Sequence, residues 1–142
     1  MTISLYKPGK GTHIEWFKKT ASYAYAFNDL VRIHSTGYLI LAADGSTVAN
    51  IGLIQEELTT ADATNKKVPV LIPGEDAIFL CDVGTGTAAA EDVGQIIDID
   101  SEKLVDIDAS TYGVFQIVGI ISSSKVLCKF MPKNGPLGTT AA

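Results

Sequence analysis

The feature that most constrains this chain is its punctuation. Short apolar runs recur at intervals of 8 to 18 residues, nearly all too short for an ordinary helix and each closed by turn formers. The runs are Leu30-Val-Arg-Ile33, Tyr38-Leu-Ile-Leu41, Ile51-Gly-Leu-Ile54, Val68-Pro-Val-Leu-Ile72, Ala77-Ile-Phe-Leu-Cys81, Gly94-Gln-Ile-Ile-Asp98, Tyr112 to Ile121 and Val126 to Phe130. Between them stand His34-Ser-Thr-Gly37, Asp44-Gly45, Pro73-Gly74-Glu-Asp76 and Ser122-Ser-Ser124. Glycine supplies the positive φ that tight turns demand, and proline fixes φ for the turn it opens. Thr12 to Lys19 alternates polar and aromatic residues and reads as a further strand. The expected fold is all-β, a barrel-like (β-tulip or β-barrel) or sandwich domain.

Helical signals are weak. Glu56 to Asn65 reads as a polar surface loop, and Ala88 to Asp92 forms at most one or two turns before Gly94 stops it. Pro69 has no amide donor, so its strand is expected to lie at a sheet edge or to begin at Pro69. The ends differ from the middle. Residues 1–11 carry Pro8, Gly9 and Gly11 after a β-prone stretch and are expected to form an extended arm. Residues 131–142, with Pro132, Gly135, Pro136 and Gly138, are expected to form a tail. Residues 12–130 between them are expected to be a single β domain, an ordinary size for one core.

Composition sets further bounds. Hydrophobic residues make up 46% of the 142 and charged residues 19%, below the roughly 25% charged of an average soluble protein. Such a chain has enough apolar material to fold and to leave some for a partner. No apolar run approaches the roughly 18 residues of a spanning helix. The first ten residues lack the apolar stretch and small-residue site of a signal peptide, so the expectation is a soluble protein made in a cytoplasm, with no membrane partner. Net charge is −5, yet Met1 to Lys19 holds four lysines and one acid. An acidic body argues against nucleic acid as a partner, whereas the basic start suits an acidic protein surface. Cys81 and Cys128 each lie in an apolar run and read as buried free thiols, able to pair only if their strands are neighbours.

The candidate chemical motifs largely fail. Gly84-Thr-Gly86-Thr-Ala-Ala89 has the short form of a dinucleotide loop, but Gly94 interrupts before the helix that such a loop needs. His34 and Ser35 are neighbours in a turn, which is not the geometry of a nucleophile and its base. Ile97-Asp-Ile-Asp100 echoes Val105-Asp-Ile-Asp108, which alternation makes a solvated polar face rather than a spaced Ca²⁺ loop. The expectation is therefore a protein with no catalytic residues, no cofactor and no metal site. Trp16, the one tryptophan, has two readings that stand side by side: a core aromatic, or an interface anchor beside Phe17.

The order of pieces resembles head decoration (cement) proteins of tailed bacteriophages. The likeness runs through Asn28-Asp-Leu-Val-Arg-Ile33, Ser35-Thr-Gly-Tyr-Leu-Ile-Leu-Ala42, Val68-Pro-Val-Leu-Ile-Pro-Gly-Glu-Asp-Ala-Ile-Phe79, Val83 to Gly94, Phe115-Gln-Ile-Val-Gly119 and Lys125-Val-Leu-Cys-Lys-Phe130. It is a pattern of strands and glycine turns, not a motif match. The resemblance implies a non-enzymatic virion protein, often a homotrimer, that binds the major capsid protein on the outer surface of the capsid and bridges capsomers. Terminal arms commonly reach the shell in that family. On this chain the capsid-binding role would fall to Ile3, Leu5, Tyr6, Lys7 and Lys10, with Trp16 and Phe17 beside them. Another phage structural role (tail tube or fibre) and a small ligand-binding β-barrel are the alternatives.

Overall fold

The computed structural model describes residues 2–19, 24–34, 37–43, 50–59, 66–74 and 76–131. Eleven strands lie among them: β1 (Ile3–Lys7), β2 (His13–Lys18), β3 (Leu30–Ile33), β4 (Leu39–Leu41), β5 (Asn50–Ile54), β6 (Lys67–Ile72), β7 (Ile78–Thr85), β8 (Ile96–Ile99), β9 (Leu104–Asp106), β10 (Phe115–Ser122) and β11 (Lys125–Phe130). The only helical element among the described residues is a single 3₁₀ turn, Ala90–Asp92. The all-β expectation holds.

Strands β7, β11, β10, β8 and β9 close into a five-stranded barrel, and the closing pair, β7 with β9, is parallel. Strand β1 is a sixth member. It runs antiparallel to the first half of β7, on the edge whose second half β9 occupies. Closure removes the free ladder edges that invite non-specific pairing. The interior is filled with side chains: Phe79 and Phe115 have no exposure, and half-buried Phe130 lies against both, its ring centroid 5.0 Å from Phe79 and 4.9 Å from Phe115. Such offset and edge-on contacts are favourable aromatic geometries.

The remaining strands form a second sheet in the order β2-β6-β5-β3-β4. It curls until Lys19, just past β2, bridges Leu39 in β4. Its own core holds Val31, Leu39, Ile51, Ile54, Val68, Val70 and Ile72. Tyr25 covers one side, and its hydroxyl donates to the Leu39 carbonyl at 2.8 Å. Pro69 is the third residue of β6, which lies inside this sheet between β2 and β5, so the strand neither forms an edge nor begins at Pro69 as expected. The fold tolerates it because Pro69 faces Gln55, one residue beyond the end of β5, so the missing donor falls at the margin of that ladder.

The whole second sheet is thus an excursion between β1 and β7, which are neighbours in the barrel. The chain leaves and returns through one clasp. Gly74 donates to the Pro8 carbonyl and to the Thr12 hydroxyl at 2.8 Å. A Cβ on Gly9 would stand 2.6 Å from the Ala77 nitrogen, so only glycine admits this approach, and its φ of +72° is also one that glycine favours. The two sheets join where the turn between β8 and β9 meets β3 and β4. Leu30 donates to the Glu102 carbonyl, Ala43 bridges Ser101, and Lys103 pairs with the buried Asp29. Leu30, Ala42 and Leu53 of the second sheet enter the barrel core.

The residues expected to be an arm are therefore built into the fold. Ile3 is completely buried and Leu5 packs on the barrel core. The reason is pairing: the β-prone run 3–7 finds an open stretch of β7 beside it. Cys81 and Cys128 are free buried thiols on neighbouring strands β7 and β11, inside the barrel. The expected turn at Asp44-Gly45, part of the expected loop to Asn65, and all but Met131 of the expected tail fall outside the described residues.

Candidate interaction surface

One face of the β2–β6 ladder is built unlike the rest. Direct partners across an antiparallel ladder share a face, and the register is unbroken. Row by row this face reads Ile14 with Leu71, Trp16 with Pro69, and Lys18 with Lys67. Trp16 is 60% exposed and Ile14 45%. The other face carries Phe17 opposite Val68, and Phe17 packs into the second core. The same open face continues inward as Leu71 opposite Leu53 and Leu53 opposite Leu30, where the barrel covers it. The barrel therefore buries one side of an apolar sheet face and leaves the β2–β6 side bare.

Lys18 and Lys67 are exposed, and neither has an ion-pair partner among the described residues. Like charges directly opposite each other destabilise a ladder. The pair borders a cleft of about 400 Å³ formed with Trp16, Phe17, Gly37 and Tyr38, where the sheet curls to its seam. Neighbouring Lys66 is already held by Glu56 at 2.7 Å.

The expected contact residues do not form one patch. Ile3 is core, Leu5 is half-buried and Phe17 points away from Trp16. Tyr6 is exposed at a bulge between Leu5 and Lys7, and Lys7 and Lys10 are exposed near it. Ile14, Lys18, Lys67, Pro69 and Leu71 are not among the expected contact residues. The alternation of Ile14, Trp16 and Lys18 marks one face, but only the strand register reveals that Lys67 stands opposite Lys18.

The remaining candidates resolve differently. Gly84 and Thr85 lie in or at the end of β7, and the short 3₁₀ turn that follows gives no helix N-terminus for a phosphate. His13 contacts the Gly11 carbonyl at 2.7 Å and Glu15 at 3.6 Å. Asp98 is not a solvated residue as alternation implied. It is buried because the 109–113 loop folds over it, and its Oδ1 accepts from the Tyr112 and Gly113 amides at 3.0 and 2.7 Å. Asp106, its partner across the ladder, accepts from the Asp108 amide, and Asp100 accepts from the Thr85 hydroxyl. No group of three metal-ligating side chains converges among the described residues. No protein-family model matches the chain, and no curated protein is significantly similar to it.

Proposed function

We propose that this protein is a non-enzymatic virion structural protein that binds the outer surface of a tailed-phage capsid and stabilises it by bridging capsomers. The observation that carries a binding role is the bare Ile14–Trp16 face, held rigid by the β2–β6 ladder. Tryptophan beside aliphatic residues is the composition of an interface centre, and truncating such anchors costs most of the binding energy of many complexes. The capsid as partner comes from the resemblance of the strand and turn pattern to head decoration proteins. Assembly as a trimer on the shell would multiply weak contacts through effective concentration. Tyr6, Lys7 and Lys10 serve as secondary contacts, while Ile3 supports the fold.

A barrel interior packed with Phe79, Phe115 and Phe130 leaves little room there for a small ligand, which favours surface binding over the ligand-barrel reading. The test is co-sedimentation with assembled phage shells, comparing the whole chain with Trp16→Ala. The whole chain is expected to pellet with shells and the variant to remain in solution while still folded. Failure of the whole chain to bind any shell, combined with stabilisation by a small molecule, would overturn this reading.

A further inference from the structure

We infer that the Ile14–Trp16–Lys18 face takes an extended acidic segment of a partner protein, in which an Asp or Glu is followed by apolar residues at every second position. The inference rests on the reading of this face as a protein-binding surface and adds the chemistry of what it binds.

Successive rows on a strand face lie about 6.7 Å apart, twice the rise per residue. An extended peptide presents alternate side chains at the same interval, so one segment laid along the ladder can match all three rows. Its carboxylate then meets Lys18 and Lys67, which stand directly opposite each other with no acid between them. Its first apolar side chain meets Trp16 and Pro69, and its second meets Ile14 and Leu71. The cleft bounded by Trp16, Phe17, Lys18, Gly37, Tyr38 and Lys67 offers the carboxylate a place beside both lysines. A bound carboxylate also relieves the repulsion between the two lysines.

A single-stranded nucleic acid would likewise use an aromatic ring and lysines. The composition of the face favours a peptide. Two of the three rows end in aliphatic side chains or proline, which offer a base or phosphate no polar contact.

Trp16 is the only tryptophan, so its fluorescence reports on the site directly. The probe is a capped peptide, Asp-Thr-Leu-Thr-Leu-Thr, titrated into the whole chain up to about 1 mM, the weak end of specific binding. The comparators are a permuted peptide with the same composition but adjacent leucines, and an oligothymidylate. The expected result is a saturable blue shift of Trp16 emission with the alternating peptide, at least about fivefold weaker in 0.5 M than in 0.05 M NaCl because the ion pairs are screened. The doublet Lys18→Gln with Lys67→Gln, exposed positions whose loss leaves the fold intact, should weaken binding about tenfold. No shift with the alternating peptide, equal binding of the permuted one, tighter binding of oligothymidylate, or an unchanged doublet would each overturn the inference. Shell co-sedimentation separates the two claims. Pelleting by wild type and doublet alike keeps the capsid reading and removes the acidic segment. Peptide binding without shell binding does the reverse.

Discussion

Ile3 stands directly opposite Cys81 in the β1–β7 ladder, and both side chains are fully buried in the barrel core. The first strand is therefore a stability element. Ile3→Ala is expected to cost about 2–4 kcal/mol through lost burial and the cavity left behind. Urea unfolding monitored by circular dichroism measures it. Deleting residues 1–10 should cost at least as much, because it also removes the clasp at Gly74; an unchanged midpoint would contradict the placement of β1.

Trp16 behaves in the opposite way. With 60% of it exposed, Trp16→Ala should change unfolding stability by less than about 1 kcal/mol, the usual range for surface positions. Native emission should be red-shifted and readily quenched by acrylamide. A blue, protected emission from the protein alone would place the ring in a core.

Asp82 links three strands. It accepts from the Thr2 amide at 2.9 Å and from Lys125 at 2.7 Å, joining β1, β7 and β11. Partial burial pushes its carboxyl up, but the Lys125 bond, the Thr2 amide and the charge of Lys125 outweigh that and hold it below the ordinary carboxylate value. A carboxylate with a depressed folded pKa contributes stability above its unfolded pKa, and that contribution fades as pH falls through the folded value. Asp82→Asn should therefore be less stable than wild type by on the order of 1 kcal/mol at neutral pH. The difference should close as pH falls through the lowered folded value, where wild-type Asp82 is itself protonated. Urea midpoints across that range test this, and a gap that widens in acid would refute it.

Burial raises the Cys81 thiol well above its usual pKa, and its contact with Cys128 adds to this. Thiolate is the reactive form, so Cys81 should resist a thiol reagent such as dithionitrobenzoate in the native state. Both cysteines should titrate once urea unfolds the chain. Rapid native labelling of either would mean that the barrel opens locally.

Asn50 has no exposure, and neither its Oδ1 nor its Nδ2 has a hydrogen-bond partner among the described residues. A buried amide without partners costs free energy that an apolar side chain avoids. Asn50→Val is expected to raise stability by about 1–2 kcal/mol in urea unfolding. Destabilisation would show that the amide has a partner in the folded protein.

Much of the secondary structure was legible because alternation and turn chemistry are local. Leu30–Ile33, Ile51–Ile54 and Val126–Phe130 become strands where the apolar runs stood, and the Ser122–Ser124 turn closes β10 onto β11. The site was only half legible. Ile14, Trp16 and Lys18 share a face by the two-residue period of any strand. Whether that face is core or surface depends on which side the barrel covers, and no local pattern encodes this. The sequence by itself determined that the chain would be all-β and where its strands would break, since turn residues and side-chain alternation act over a few neighbours. Only the tertiary structure decided that residues 3–7 are a barrel strand and not an arm, that Asp98 is buried, and that Lys18 meets Lys67. Each depends on pairing between distant segments, where register and sheet closure choose the partners.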